Sequence, residues 1–219
     1  MNRILVINPN TSEVVTADMA QSVAGMNRNG TFKIECVTLR DGPAAVQTQA
    51  DVARAASAAA RCIAAEPAAA YVVACYSDPG VLLARELSSS PVLGIGEASM
   101  MTAMTMGERF GIIAILPASV RRQQRHVRML GFDARYAGSR DIGVGVRDLA
   151  TDPETLPRMI TAGKWLRDER QADVVILGCA GMARHRSHIE QALGIPVIEP
   201  SRAAVAMALG LAMASADAW

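Results

Sequence analysis

The chain has 219 residues, of which 51% are hydrophobic and 4% aromatic, enough for one large domain or for two of about 100 residues each. Its 22 Lys and Arg side chains balance 21 Asp and Glu, which excludes binding to nucleic acid or to a membrane surface through bulk charge. Apolar runs end after about 5 to 8 residues, against the roughly 20 that a membrane span needs. The first run is also too short for a signal peptide, so we expect a cytoplasmic protein with reduced cysteines.

Short β-branched runs alternate with alanine-rich helical stretches through the first half. The predicted strands are RILVIN, KIECVTL, AYVVAC and PVLGIG. Helices are predicted from about 11 to 25, from 50 to 65 and after Pro79. Continuous apolar strands separated by helices are typical of a parallel sheet that is covered on both faces. The pattern therefore predicts an α/β protein.

The same order of strands and helices restarts in the second half. The predicted strands there are GERFGIIAIL, DARYAG, ADVVILGC and PVIEP, with helices after Ala118 and from about 153 to 170. Three landmark pairs lie about 105 residues apart, which indicates an internal duplication: Pro9 with Pro117, Cys75 with Cys179, and Pro91 with Pro196. We expect a first half over 1–106, on which the C-terminal helix 201–219 is a candidate to pack, and a second half over 107–219.

Cys75 and Cys179 each follow a predicted strand and precede a predicted helix. This position is the carboxyl edge of a parallel sheet, where α/β proteins bind their ligands. Ser77 or Asp78 is expected to cap the helix after Cys75, with Pro79 in its first turn. A thiol beside helix amino termini is expected to have its pKa lowered from about 8.5 towards neutrality. Such a thiol can act as an acid or a base.

Two facing thiols suit the transfer of a proton from one face of a carbon to the other. One thiol removes the proton while the other returns one, and the roles exchange for the opposite enantiomer. The enolate intermediate needs oriented N–H donors, which strand-to-helix turns supply, so we expect no metal and no organic cofactor. Cys36, within a strand, and Cys62, within a helical run, are predicted to be structural.

Six motifs together resemble the hydantoin and allantoin racemase branch of the aspartate/glutamate racemase superfamily. They are INPNTS, ACYSDPG, PVLGIGEA, GERFGIIAILPASV, LGCAGM and PVIEP, and they span nearly the whole chain in order. The resemblance implies a cofactor-independent two-thiol racemase acting on a cyclic ureide. It also implies two flavodoxin-like halves related by a pseudo-two-fold, with the active site in the cleft between them.

The resemblance assigns roles to individual residues. The acid/base pair falls on Cys75 and Cys179. The positions that the family uses to hold the substrate fall on Asn10, Thr11, Ser77, Asp78, Pro117, Ala118, Ser119, Gly181 and Met182. Many hydantoin racemases have Phe-Gly where this chain has Tyr76-Ser77, which leaves the ring substituent open. Asp78 could orient the thiol or the substrate, or only cap a helix.

Other motifs have simpler interpretations. His185 and His188 are predicted surface residues and not a metal site, since no third ligand stands at a supporting spacing. GIGEA lacks the third glycine of a dinucleotide fingerprint and is interpreted as a packed turn. The methionine-rich SMMTAMTMG favours core packing or a subunit interface, so a homo-oligomer is expected.

Several alternative functions remain open. Related enzymes are a maleate isomerase, an amino-acid racemase and an arylmalonate decarboxylase. The first two should need clearer anion contacts, and Cys75 argues against the third. A non-catalytic two-lobed protein that binds a small ligand is the alternative from another class, and it would have no need of two reactive thiols.

Overall fold

The computed structural model of the chain describes residues 2–26 and 30–218, the last four of them by their backbone only. The chain divides into two compact units. The first comprises Met1–Ala98 with Ser201–Trp219, and the second comprises Ser99–Pro200. Each unit contains one four-stranded sheet.

The sheet of the first unit is parallel throughout and has the order β2-β1-β3-β4. Its strands are β1 (Arg3–Asn8), β2 (Lys33–Thr38), β3 (Ala70–Val73) and β4 (Val92–Gly94). The helices between them are α1 (Glu13–Val23), α2 (Gln49–Ala65) and α3 (Val81–Leu87). A fourth helix, α4 (Ile95–Met104), begins in this unit directly after β4 and ends in the second unit.

Burial follows the position of each strand in this sheet. The central strands β1 and β3 are buried from Ile4 onward and from Ala70 onward, since helices cover both faces of a parallel sheet. The edge strand β2 stays only half-buried along most of its length. The core forms between the sheet and α2, where Leu5 and Ile7 belong to the same buried cluster as Ile63.

The second unit repeats the arrangement with the order β6-β5-β7-β8, again parallel. Its strands are β5 (Phe110–Ala114), β6 (Tyr136–Asp141), β7 (Val174–Leu177) and β8 (Val197–Ile198). Its helices are α5 (Pro117–Met129), α6 (Thr155–Asp168) and α7 (Arg186–Leu193), and a 3₁₀ turn over Ala180–His185 precedes α7. The last helix of the chain is α8 (Pro200–Ala218).

The predicted α/β class is confirmed, and each predicted strand is present. Both sheets place their strands in the same order relative to the sequence, as the duplication requires. The predicted C-terminal helix 201–219 corresponds to α8, and Trp219 lies outside the described residues. Within residues 2–26 and 30–218, no helix combines the length and the apolar character that crossing a membrane demands.

Candidate active site

Cys75 lies in a tight turn at the carboxyl edge of the first sheet. β3 ends at Val73, and the N–H of Ala74 continues the ladder by donating to the carbonyl of Ile7 at 2.8 Å. The Asp78 N–H then donates to the Cys75 carbonyl at 2.9 Å and closes the turn. The thiol is partly exposed. The chain thus ends a buried strand and presents the cysteine at once.

Cys179 lies in the same kind of turn at the carboxyl edge of the second sheet. The Gly178 N–H donates to the Ile113 carbonyl at 2.8 Å, and the Met182 N–H donates to the Cys179 carbonyl at 3.1 Å. A Cβ at Gly178 would lie 2.5 Å from the Ile113 carbonyl oxygen, so this close approach of two strands requires glycine. The two cysteines therefore occupy equivalent places in equivalent units.

The electrostatic expectation for Cys179 is wrong. Burial raises the pKa of the Cys179 thiol to about 11, although a hydrogen bond from the Gly181 N–H opposes the shift. Cys179 is half-buried, and the protein packed around it replaces part of the water that would stabilise a thiolate, a loss that one backbone donor does not offset. The thiol is consequently protonated at neutral pH.

The two remaining cysteines match their structural interpretation. Burial raises the pKa of Cys36 to about 11, with a further contribution from the charge of Glu35. Burial also raises the pKa of Cys62 in α2. Both cysteines are half-buried, and the charge of Arg3, which acts to lower the pKa of Cys62, does not outweigh burial.

The loop after β1 is organised by a buried amide. Asn8 is fully buried, and its Nδ2 donates to Asn10 Oδ1 at 3.2 Å, to the Ser12 carbonyl at 3.0 Å and to Thr16 Oγ1 at 3.0 Å. The Ser12 N–H also donates to Asn10 Oδ1, at 2.8 Å. Because Asn10 Oδ1 accepts these bonds, its Nδ2 is the group oriented to donate elsewhere. Thr11 is exposed, and its N–H is bound to the Pro43 carbonyl at 3.0 Å.

Asn8 was not among the predicted site residues. The signal was present in INPN, because a polar side chain at the end of an otherwise apolar buried strand needs hydrogen-bond partners. By the parallel register, the loops after β1 and β3 lie side by side, so Asn10 and Thr11 share the sheet edge with Cys75.

The predicted cap of α3 is wrong. This helix begins at Val81 after Gly80, which has φ +79°, and no side chain caps it. The Asp78 carboxylate instead accepts from the N–H groups of Gly96 and Glu97, at 2.8 Å and 2.7 Å, in the first turn of α4. Burial raises the pKa of the Asp78 carboxyl well above its usual range, while these two hydrogen bonds act in the opposite direction. Ser77 is half-buried.

Pro117, Ala118 and Ser119 form the first turn of α5 and not a loop. Pro117 is exposed at the first helical position, where its missing N–H costs nothing. Ser119 is buried, and its Oγ accepts from Arg122 at 3.0 Å. The Gly178 N–H donates to the Ile113 carbonyl just as the Ala74 N–H donates to the Ile7 carbonyl, so Ile113 is equivalent to Ile7. Two residues further on, Ile115 is therefore equivalent to Pro9. The landmark pairing of Pro9 with Pro117 is therefore displaced by two residues.

Gly181 and Met182 differ in what they can offer a ligand. The Gly181 N–H already points at the Cys179 sulfur, and a Cβ there would lie 3.2 Å from Leu149. The Met182 side chain is fully buried in the core of the second unit. Any contact of Met182 with a ligand would therefore use its main chain.

Gln123 is a residue that sequence reasoning missed. It lies in α5, is buried, and its amide packs where a Cβ of Gly178 would stand, with Nε2 at 2.6 Å from that point. The signal was its spacing: Ser119, Gln123 and Val127 recur every four residues on the buried face of α5. Its amide therefore lies next to Gly178, the residue directly before Cys179.

The histidine pair separates in the structure. His185 ends the 3₁₀ turn and is half-buried, whereas His188 is exposed in α7, as predicted for a surface residue. Across the described ranges, no group of three or more His, Cys, Asp and Glu side chains could hold a metal ion.

Comparison with known proteins gives one consistent result. Residues 4–208 match the family described as Asp/Glu/Hydantoin racemase. A hydantoin racemase of Rhizobium meliloti is 34% identical over 212 residues, covering 95% of this chain and 88% of the relative. A hydantoin racemase of Paenarthrobacter aurescens is 33% identical over 214 residues, covering 95% and 90% respectively.

Solved structures agree with these relatives. The allantoin racemase from Klebsiella pneumoniae superposes with a TM-score of 0.93 at 30% identity and covers 98% of this chain and 89% of its own. Sequence match, relatives and fold thus coincide over nearly the whole length, and the resemblance noted from the motifs is confirmed. The chain belongs to the Asp/Glu/Hydantoin racemase family.

Proposed function

We propose that this chain racemises a five-membered cyclic ureide, a 5-substituted hydantoin or allantoin, by two-base proton transfer between Cys75 and Cys179. The chain is a racemase by its family, and relatives that carry both activities in their names support the substrate class. One observation carries the mechanism: the two units present one cysteine each, in matching turns after equivalent strands. No organic cofactor is needed for this chemistry.

The substrate chemistry explains why two thiols are required. The C5–H bond of the ring lies next to the C4 carbonyl, so loss of the proton gives a planar enolate with its charge on the C4 oxygen. A single base would return the proton to the face from which it came. A second acid on the opposite face inverts the centre, and each thiol takes the other role for the other enantiomer.

The resting protonation states follow from the site. With a pKa of about 11, the Cys179 thiol holds its proton at neutral pH and acts first as the acid. Cys75 then supplies the base for the enantiomer whose C5–H faces it. For the other enantiomer, Cys75 must be the protonated thiol and Cys179 the thiolate. In both directions the active form of the cysteine pair therefore carries one proton.

Substrate orientation is assigned to donors at the same two sheet edges. Asn10 is held with its Nδ2 free to donate to a ring carbonyl, since Ser12 and Asn8 occupy its oxygen. Thr11 and Ser77 carry hydroxyls on the neighbouring turns of the first unit. In the second unit the main chain of Gly181 and the first turn of α5 border Cys179. Preorganised donors of this kind stabilise an enolate oxygen without reorganisation.

The test is racemisation in D2O. Single enantiomers of a 5-substituted hydantoin and of allantoin are followed by optical rotation and by deuterium uptake at C5, against the uncatalysed rate. We expect Cys75→Ala and Cys179→Ala to stop racemisation, while each keeps C5 exchange with retention for the one enantiomer that the remaining thiol can reach. Cys62→Ala is the matched control, because this thiol lies in α2, and should keep full activity.

Two results would contradict the proposal. Unchanged racemisation in both catalytic variants would remove the thiols from the mechanism. Turnover of maleate, an arylmalonate or an amino acid in place of the ureides would move the chain to a related activity. Because racemisation has an equilibrium constant of unity, kcat/KM must be equal for the two enantiomers, which checks each data set internally. The homo-oligomeric state and the cytoplasmic location stay predictions of the sequence.

A further inference from the structure

The helix α4 begins with half of a capping box. Gly94 directly precedes its first residue, Ile95, and the side chain of Glu97 reaches back to accept the Gly94 N–H at 3.2 Å. Glu97 is buried and is also bound by Arg85. In a complete capping box, the side chain of the residue before the helix accepts the N–H of the third helical residue. Gly94 has no side chain to do so.

Asp78 supplies the missing half from another part of the chain. Its Oδ1 accepts from the Gly96 N–H and its Oδ2 from the Glu97 N–H. A Cβ on Gly94 would lie 2.1 Å from the Asp78 Cγ, and one on Gly96 would lie 2.9 Å from its Oδ2. The two glycines of GIGEA therefore leave the space that the Asp78 carboxylate fills.

The other end of Asp78 belongs to the Cys75 turn. Its N–H closes that turn on the Cys75 carbonyl, and its φ of +45° is a conformation that a non-glycine residue seldom keeps without support. Met182 makes the equivalent N–H bond to Cys179 and is held by burial in the core. Both cysteine turns are thus fixed at the third residue after the cysteine, one by hydrogen bonds and one by packing.

We propose that Asp78 is a positioning residue for Cys75, whose carboxylate completes the cap of α4 and thereby fixes the turn that carries the thiol, and that it does not bind the substrate. Both carboxylate oxygens are engaged by main-chain donors of α4. The inference rests on the proposed function for its kinetic consequence only, because the contacts themselves lie within the first unit.

Asp78→Ala separates positioning from substrate binding. We expect kcat to fall on the order of 100-fold, as displacement of a reacting group by about 1 Å does, while KM stays near the wild-type value. The rate constant for iodoacetamide alkylation of Cys75 should change, and that of Cys179 should not. A substrate ligand would behave differently: KM would rise, and Cys75 in the free protein would react as in the wild type. That result would overturn the proposal.

A double variant that moves the capping carboxylate to another residue separates an effect on the position of Cys75 from an effect on protein stability. In Asp78→Ala with Gly94→Asp, the same carboxylate stands at the ordinary capping position, and the space that it needs has been vacated. We expect the free energy of unfolding to recover while kcat and Cys75 alkylation do not, because the link between α4 and the Cys75 turn is still missing. Recovery of kcat together with stability would reduce Asp78 to a helix cap and refute the positioning role.

Asp173→Ala is the matched control. Asp173 Oδ2 also accepts two main-chain N–H groups, from Glu108 at 3.1 Å and from Arg109 at 2.9 Å, but it precedes β7 at the amino edge of the second sheet. Its loss should leave kcat unchanged. A decrease in kcat as large as that of Asp78→Ala would show that general loosening suffices, and the proposal would fail.

Two further readouts keep the test decisive. If Asp78→Ala does not fold, Asp78→Asn retains one acceptor oxygen and should give an intermediate kcat with an unchanged KM. If the chain turns over no ureide at all, the proposed function fails, but Cys75 alkylation and amide exchange of Gly96 and Glu97 still answer the question. Unchanged exchange and unchanged alkylation in Asp78→Ala would then refute the positioning role on its own.

Discussion

The Cys179 thiol provides a direct measure of which electrostatic effect prevails at the second sheet edge. Burial raises its pKa to about 11, compared with 9.0 for a reference thiol, and outweighs the effect of the Gly181 N–H. At pH 7.5 such a thiol carries about 100-fold less thiolate than an ordinary one, since each pKa unit is a factor of ten. This loss is partly offset because a thiolate of higher pKa is more nucleophilic, here by about 6- to 10-fold. The net effect is that alkylation of Cys179 should be about 10- to 15-fold slower than alkylation of the reference thiol.

The assay is alkylation by iodoacetamide between pH 7 and 11, followed by mass spectrometry of the peptides that carry each cysteine. We expect the rate constant for Cys179 to rise throughout this range without reaching a plateau, because only half of the thiol is ionised at its pKa of about 11. Cys36, whose pKa is also raised to about 11, is the internal comparison. A plateau for Cys179 below pH 9, with alkylation faster than the reference, would show that the turn and its donors outweigh burial.

Three further predictions concern stability, each measured by urea unfolding. Because the pKa of Cys179 is raised in the folded state, its protonated thiol contributes fully to the free energy of unfolding below pH 9, and this contribution is lost towards pH 11. Between pH 8 and 10.5 the free energy of unfolding should therefore fall by about 2 kcal/mol more in the wild type than in Cys179→Ala. Gly178→Ala should cost about 1–3 kcal/mol, since its Cβ meets the Ile113 carbonyl. Asn8→Ala removes four hydrogen-bond contacts of a buried amide and should cost about 3 kcal/mol.

One of these predictions has a control variant, and each of the other two has an outcome that would contradict it. Gly210 in α8 has open space where a Cβ would stand, so Gly210→Ala should stabilise by about 0.5–1 kcal/mol where Gly178→Ala destabilises. Equal pH dependence in wild type and Cys179→Ala would argue against burial of the thiol. Wild-type stability in Asn8→Ala would mean that solvent replaces the amide in the loop after β1.

The strands were predictable because parallel strands covered on both faces are continuous apolar runs. AYVVAC and ADVVILGC, for example, contain β3 and β7 without ambiguity. The positions of Cys75 and Cys179 at the sheet edge followed from the same pattern. The hydrogen-bond donors to Asp78 could not be predicted in this way. They lie in α4, beyond α3 and β4 along the chain, and only the folded sheet brings α4 next to Asp78. Local capping rules therefore assigned Asp78 to α3, the next helix along the chain.

The prediction that the pKa of Cys179 is lowered failed for a related physical reason. Helix position is a local property that can be read from sequence, whereas burial depends on the whole packed unit around the thiol. The pairing of Pro9 with Pro117 failed because the first turn of α5 starts closer to its strand than α1 does. In both instances the residue types were interpreted correctly and their three-dimensional surroundings were not.

The hydrogen bond from the third residue after each cysteine has a consequence for how such proteins diverge in sequence. The bond that closes the Cys75 turn spans Tyr76 and Ser77, and the bond that closes the Cys179 turn spans Ala180 and Gly181. Both closing bonds join main-chain atoms only, so neither depends directly on a side chain at these four positions. Under the proposed mechanism, an exchange at Ser77 would alter the surroundings of the substrate while the turn that holds Cys75 stays closed.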